Sequence, residues 1–200
     1  MDQITNILYW LSTGLLIPVT LLLIFFLLRS LLLIGGFYGA YLSRNKVNTS
    51  INKKIDEGFA LDYLATAKPD AKHPAALVLC LERIYEHRTD VIMLEKILGD
   101  YEIQSQKDLD RSKLLVKIGP MLGLMGTLIP MGPALVGLAT GDVASMANNM
   151  QVAFATTVVG IIIGAVGFIT LQVKQRWMAD DMNILGFMVE TLKKEQDAHE

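Results

Sequence analysis

Two long stretches without charge limit what this chain can fold into. Residues 4–28 contain no charged residue, and residues 118–173, a run of 56, contain only Asp142. A soluble domain carries charged side chains over its whole surface, whereas a hydrocarbon layer about 30 Å thick is crossed by roughly 20 apolar residues in a helix. The sequence therefore predicts an integral membrane protein and argues against a soluble enzyme with a single core.

Three crossings fit these stretches. Residues 4–28 provide one, with Arg29 at the membrane surface, and residues 118–173 divide at Gly141-Asp142 into spans of about 118–138 and 151–173. Lys and Arg follow the first span, precede the second and follow the third, while the amino terminus and the Gly141-Asp142 turn have none. Because positively charged residues stay on the cytoplasmic side, the N-terminus is expected outside and the C-terminus in the cytoplasm.

The predicted fold class is an all-α integral membrane protein with long cytoplasmic helical extensions. Its segments are a first transmembrane helix with its extension (1–42), a cytoplasmic helical domain (43–117), a transmembrane hairpin (118–173) and a cytoplasmic C-terminal helix (174–200). The polar segments are expected to break at Lys68-Pro69 and His73-Pro74. One long helix is then expected to lead into the second span, because no proline occurs between residues 75 and 119.

Apolar side chains recur at helical spacing in both polar segments, which predicts amphipathic helices there. These residues are Leu77, Leu81, Ile84, Tyr85, Val91, Leu94, Leu98 and Tyr101 in the first segment, and Trp177, Ile184, Leu185, Met188 and Leu192 in the second.

Several classes of function are disfavoured by composition. The net charge of -2 gives no electrostatic reason to expect nucleic-acid binding. Cys80 is the single cysteine, and His73, His87 and His199 are scattered, so neither a disulfide nor a metal site is predicted. No nucleophile, base and metal combination can be assembled within the spans, so no catalytic residue and no cofactor is expected, and an intramembrane hydrolase is a distant alternative.

Small and hydroxyl residues mark the second and third spans. Glycines that share a helix face, in GxxxG patterns, let two helices approach closely in lipid. The residues predicted to pack the helices are Gly119, Gly123, Gly126, Gly160 and Gly164. Thr127, Thr156 and Thr157 lie among them and predict a passage lined by polar groups. Neither span contains an ionisable residue, so if protons move here, another chain must supply the titrating group.

Two motifs carry a resemblance to a known family. The run G-P-M-L-G-L-M-G-T-L at residues 119–128 resembles the second-span motif of the MotA/TolQ/ExbB proton channel family, approximately A-P-L-L-G-L-L-G-T-V. The run A-F-A-T-T-V-V-G at residues 153–160 is similar to that family's A-L-x-x-T-x-x-G. Three spans with the N-terminus outside resemble the ExbB and TolQ branch more than the four-span MotA branch.

The resemblance implies an ion-conducting stator subunit in the inner membrane of a prokaryote. Such a subunit forms a homo-oligomer in the lipid bilayer, expected to be a pentamer, whose second and third spans surround a pore. The pore holds the single span of a partner such as ExbD, TolR or MotB, whose intramembrane Asp takes up and releases the ion. Thr127 and Thr157 correspond to the family's pore threonines, and Gln172 corresponds to a polar residue near the cytoplasmic exit.

The chain also departs from the family pattern. Val152 stands where ExbB-like proteins have a glutamate, Val166 stands where they have a proline, and Pro130 and Pro133 are additional. These departures indicate a divergent branch and leave open whether H⁺ or Na⁺ is the ion. The alternative function is a non-conducting oligomeric scaffold that recruits other proteins through its cytoplasmic helices.

Overall fold

The computed structural model describes residues 13–56 and 76–197, together with Gln3, Ile7, Trp10 and Leu11. The described helices are α1 (Leu16–Asp56), α2 (Ala76–Glu86), α3 (Val91–Ala139) and α4 (Val143–Asp197). No strand occurs among these residues, and the all-α fold class is confirmed. Parts of the predicted first span, both predicted breaks at Lys68-Pro69 and His73-Pro74, and His199 lie outside the described residues.

Three of these helices, α1, α3 and α4, are long and apolar enough to cross a membrane. The apolar segment of α1 is Leu16–Tyr41, with a mean hydropathy of 2.6. Among the described residues, Arg29 divides this segment into residues 16–28, which belong to the predicted first span, and residues 30–41, which follow that span. Pro18 lies in the first turn of α1, a position that tolerates proline because the first N–H groups of a helix need no partner within it.

A capped turn separates α2 from α3, so the long helix that leads into the second span begins at Val91 and not directly after the predicted breaks. The Asp90 carboxylate accepts hydrogen bonds from the backbone N–H groups of Ile92 and Met93, each at 3.1 Å. An aspartate at this position stabilises the start of a helix by satisfying N–H groups that have no partner within it. From Val91, α3 then continues to Ala139 through three prolines, so the helix does include the predicted second span.

The described residues group into two units, which are described separately. The hairpin unit comprises Met1–Gly35 and Arg111–Leu171, and the polar unit comprises Gly36–Asp110 and Gln172–Glu200. In the hairpin unit, α1 packs against α3 and α4 through one buried apolar cluster. Its members are Val19, Leu23, Phe26, Leu115, Leu122, Ile129 and Ile163. This cluster places α1 along one side of the α3–α4 hairpin.

In the polar unit, α2, the first part of α3 and the last part of α4 enclose a second core. Its buried residues are Leu77, Cys80, Leu81, Ile84, Leu94, Ile97, Ile184, Leu185, Met188, Val189 and Leu192. Tyr85, Leu98 and Tyr101 pack against it. The helical spacing of apolar residues thus identified most of this core. Val91 and Trp177 are the two exceptions. Val91 is 38% exposed at the start of α3, and Trp177 stacks on Phe37 instead.

The Cys80 thiol lies inside this second core, where burial raises its pKa to about 11. Because the thiolate is the reactive form, the thiol is neutral at pH 7.5. We expect a maleimide to modify Cys80 slowly in the folded protein and rapidly after unfolding in guanidinium chloride, which intact-protein mass spectrometry measures. Equal labelling rates in the two states at pH 7.5 would contradict this placement of Cys80.

Candidate functional site

The helices α3 and α4 approach each other at glycine. A Cβ atom placed on Gly119 would lie 2.8 Å from the carbonyl oxygen of Gly160, and one placed on Gly160 would lie 2.7 Å from the Cα atom of Gly123. A carbon side chain does not fit at such distances, so the two backbones are in direct contact. Further along, Gly164 faces the ring of Pro120 and Gly126 faces Thr156. All five glycines predicted to pack the helices lie at this contact.

Thr156 lies inside the same contact. Its side chain is 7% exposed, and a Cβ atom on Gly126 would lie 2.6 Å from its hydroxyl oxygen. The hydroxyl donates to carbonyl oxygens of its own helix, with Val152 O at 3.0 Å and Ala153 O at 2.9 Å. A threonine whose hydroxyl bonds to the preceding turn can be buried in a helix interface without an unsatisfied polar group.

Thr127 and Thr157 lie at the margin of the contact, and both are half-buried. Thr127 donates to the carbonyl oxygen of Leu124 at 2.7 Å, and Thr157 donates to that of Ala153 at 3.1 Å. A hydroxyl that donates within its own helix still offers its oxygen lone pairs as acceptors. Each threonine therefore presents a hydrogen-bond acceptor next to the glycine contact.

Both of these threonines lie on the side of the hairpin away from α1. Since an α-helix turns about 100° per residue, Thr127 projects about 140° from Leu122, and Thr157 projects about 120° from Ile163. Leu122 and Ile163 belong to the cluster that contacts α1. A Cβ atom on Gly123, one turn before Thr127, would lie 3.5 Å from the carbonyl oxygen of Thr157, so the two threonines have a similar depth.

Gln172, the fourth residue predicted to line the pore, is exposed in α4 and belongs to the polar unit. The three threonines belong to the hairpin unit. Pore lining by Thr127, Thr156, Thr157 and Gln172 stays a prediction.

The one acidic residue of the hairpin, Asp142, lies in the turn between α3 and α4. Gly141 has a φ of 77°, a left-handed conformation that favours glycine. The Asp142 carboxylate accepts the backbone N–H of Ser145 at 2.9 Å and so caps the start of α4. Asp142 thus has a local structural role, as the Gly-Asp pattern predicts, and residues 118–173 carry no other ionisable group.

Two apolar helices thus meet in glycine contact, with threonines beside the contact and no acidic residue at their depth. A sequence model described as the MotA/TolQ/ExbB proton channel family matches residues 82–185, just over half of the chain. The chain belongs to the MotA/TolQ/ExbB proton channel family. No curated protein and no solved structure gave a significant match.

Membership in the MotA/TolQ/ExbB family supports an ion-channel or stator-like role. The family is one of channels and not of enzymes, and its members work in complexes with partner proteins. Together with three helices long enough to span a bilayer, it identifies the chain as a multi-pass membrane protein. The match covers part of α2, all of α3 and most of α4, so it includes the glycine contact and all three threonines.

A pair of buried hydroxyl groups in this MotA/TolQ/ExbB hairpin was not predicted from the sequence. The Thr170 hydroxyl donates to the Ser112 hydroxyl oxygen at 3.3 Å, and the two residues are 2% and 0% exposed. A Cβ atom on nearby Gly167 would lie 3.0 Å from the carbonyl oxygen of Ser112. These residues extend the α3–α4 contact beyond the GxxxG motifs. The sequence feature that could have indicated this extension is the spacing of Gly167 after Gly160 and Gly164.

The polar unit holds a second unpredicted feature, a buried charged network. The Arg44 guanidinium donates two hydrogen bonds to the Asp181 carboxylate, one of them from Nη1 at 2.9 Å, and another to the carbonyl oxygen of Trp177 at 2.9 Å. The Tyr101 hydroxyl also donates to Asp181, which is 2% exposed. Burial, with Asp181 beside it, raises the pKa of Tyr101, so this hydroxyl stays protonated and keeps donating.

An aromatic stack completes this network. The guanidinium carbon of Arg44 lies 5.0 Å from the centre of the Trp177 ring, a cation–π distance. Phe37 also stacks on Trp177, with the two rings nearly parallel and their centres 5.3 Å apart. The network therefore ties α1, α3 and α4 together within the polar unit by charge, hydrogen bonds and ring contacts.

Proposed function

We propose that this chain forms the ion channel of an energy-transducing stator complex, and that Thr127 and Thr157 line its pore. The observation that carries the proposal is the position of these threonines, half-buried beside the glycine contact and turned away from α1. Because α1 does not cover this face of the hairpin, other helices can pack against it. Copies of the hairpin arranged in a ring, with this face inward, enclose a channel with threonine hydroxyl groups at one depth.

Thr156 has a different role in this proposal. Its burial against Gly126 makes it a packing residue that fixes the distance between α3 and α4, instead of a group that meets the ion directly. Gln172 is proposed at the cytoplasmic exit, on the basis of the resemblance alone. The membrane is proposed to be the inner membrane of a prokaryote, and the assembly a homopentamer.

The titrating group is proposed to come from a partner. Residues 118–173 contain one ionisable residue, and its carboxylate caps α4 in the turn. Proton carriers inside a membrane are normally carboxylates or other ionisable groups. A single-span protein like ExbD, TolR or MotB, with an intramembrane Asp, would supply that group, and the threonine hydroxyl groups would bond to it as it changes charge.

The test is ion flux in proteoliposomes that contain the chain together with a single-span ExbD-, TolR- or MotB-like protein. We expect flux with the partner present and none with the chain alone. Replacement of Thr127 or Thr157 by valine, which removes the hydroxyl at nearly constant volume, should lower the flux about tenfold, corresponding to a lost hydrogen bond of about 1.4 kcal/mol.

The matched control is Thr20→Val. The Thr20 hydroxyl also donates to carbonyl oxygens of its own helix, but it lies on α1 and not on the hairpin. Its replacement should leave the flux unchanged. If Thr127→Val and Thr157→Val conduct like Thr20→Val, the assigned pore face is wrong. If the assembled complex conducts no ion, the non-conducting scaffold is the better function.

A further inference from the structure

Arg29 is a charged residue on an apolar surface. It is the one charged residue between Leu16 and Tyr41, and its side chain is exposed. Phe25 and Leu32, one turn before and after it on α1, are 53% and 78% exposed. Within the part of the chain that the structure describes, Arg29 makes no hydrogen bond and no ion pair. An unpaired charge beside hydrocarbon is costly, and none of the described residues neutralises this one.

The depth of Arg29 follows from the packing of α1. Three successive crossings alternate in direction, so α1 runs antiparallel to α3. Both helices contribute to one apolar cluster, from Val19 to Phe26 on α1 and from Leu115 to Ile129 on α3. The end of this α1 stretch therefore lies beside the beginning of the α3 stretch. Arg29 is thus at the membrane surface marked by the exposed Lys117, opposite to the Gly141-Asp142 turn.

A second copy of the hairpin unit does not offer a suitable carboxylate. Among its described residues the only acidic one is Asp142, which caps α4 in the turn at the opposite surface. The proposed pore is not the location either, because Thr127 and Thr157 lie on the side of the hairpin away from α1. Arg29 therefore faces the lipid side of the chain, near the surface that carries the basic residues.

We propose that Arg29 binds the phosphate of an anionic phospholipid in the leaflet next to Lys117. A guanidinium forms two parallel hydrogen bonds to phosphate oxygens, a geometry that lysine does not provide. The exposed apolar side chains of Phe25 and Leu32 lie where acyl chains of the same lipid can pack. The site takes a phospholipid with net negative charge in preference to a zwitterionic one, because the choline of a zwitterionic headgroup repels the guanidinium. This inference depends on the three crossings but not on ion conduction.

The test compares lipid binding of the purified full chain, in its native assembly, for three proteins: wild type, Arg29→Gln and Lys117→Gln. Binding of phosphatidylglycerol and phosphatidylcholine to the detergent-solubilised assembly is measured by native mass spectrometry. We expect Arg29→Gln to bind phosphatidylglycerol about fivefold more weakly, the contribution of one basic residue at an anionic surface. Lys117→Gln, which removes an exposed charge at the same surface without the apolar neighbours on α1, should keep at least half of the wild-type affinity.

A third variant, Arg29→Lys, separates charge from geometry. It keeps the positive charge but loses the paired donors, so its affinity for phosphatidylglycerol should fall between those of wild type and Arg29→Gln. Equal affinity of wild type and Arg29→Gln for phosphatidylglycerol would overturn the proposal, as would equal binding of the two lipids by wild type. Loss of the assembled oligomer in Arg29→Gln, at constant lipid content, would assign Arg29 to a contact between chains and would equally overturn it.

Discussion

Replacement of Gly160 by alanine is expected to destabilise the hairpin unit by about 1–3 kcal/mol, the usual cost of forcing an extra group into a packed interface. The new methyl group would lie 2.7 Å from both the carbonyl oxygen of Gly119 and the Cα atom of Gly123. Both are backbone atoms, so no side-chain rotation can relieve the clash. The two helices must move apart, and the contacts of Thr156 with Gly126 are then lost as well. Leucine at the same position should be more destabilising.

The measurement is the free energy of unfolding in mixed micelles, obtained by titration with sodium dodecyl sulfate. Gly35→Ala is the matched control, because nothing lies within 4 Å of a Cβ atom at Gly35 in α1. Alanine is the better helix former, so this control should be neutral or slightly stabilising. A loss of stability in Gly35→Ala equal to that in Gly160→Ala would mean that the glycine contact does not hold the hairpin together.

The second large effect is expected in the polar unit, on replacement of Asp181 by asparagine. The Arg44 guanidinium then loses its buried counter-charge, and removal of one partner from a buried ion pair typically costs about 3–5 kcal/mol. The Tyr101 hydroxyl keeps an acceptor in the asparagine amide, so the loss reports mainly on the charge pair. Thermal unfolding followed by circular dichroism measures the change in stability.

Two further variants make this prediction specific. Glu95→Gln removes the ion pair with Lys193, which is exposed to solvent, and should change the stability little. The double variant Arg44→Met with Asp181→Leu removes both charges together and should recover much of the lost stability, because a buried ion pair replaced by apolar groups leaves no unpaired charge. A double variant that is less stable than Asp181→Asn would contradict the assignment of Arg44 and Asp181 as a buried ion pair.

The sequence predicted those parts of the molecule whose physical cause is local. Absence of charge and the length of apolar runs predicted the three long apolar helices, because the thickness of a bilayer sets the length of a span. The spacing of Gly119, Gly123, Gly160 and Gly164 predicted which faces of α3 and α4 would meet. The Gly141-Asp142 pair predicted the turn between them, because glycine permits the left-handed backbone and aspartate caps the next helix.

Other features could not be predicted from the sequence. They depend on contacts between residues distant in sequence, or on which of two adjacent residues is buried. Arg44 and Asp181 are 137 residues apart, so their pairing cannot be read from either segment alone. Thr156 and Thr157 are adjacent and therefore project about 100° apart, and the glycine pattern did not indicate which of them would be buried. The turn before Asp90 was missed because the apolar spacing continues on both sides of it.

The glycine contact also has a consequence for the entropy of assembly. Two helices that meet through leucine or methionine must freeze several rotatable bonds, at a cost that reaches about 1–2 kcal/mol for the longest side chains. Gly119, Gly123 and Gly160 have no side-chain torsions to lose. At these three positions the α3–α4 contact therefore forms between backbone atoms, without loss of side-chain entropy. A rigid helix contact of this kind holds Thr127 and Thr157 at a fixed separation while the residues around them change conformation.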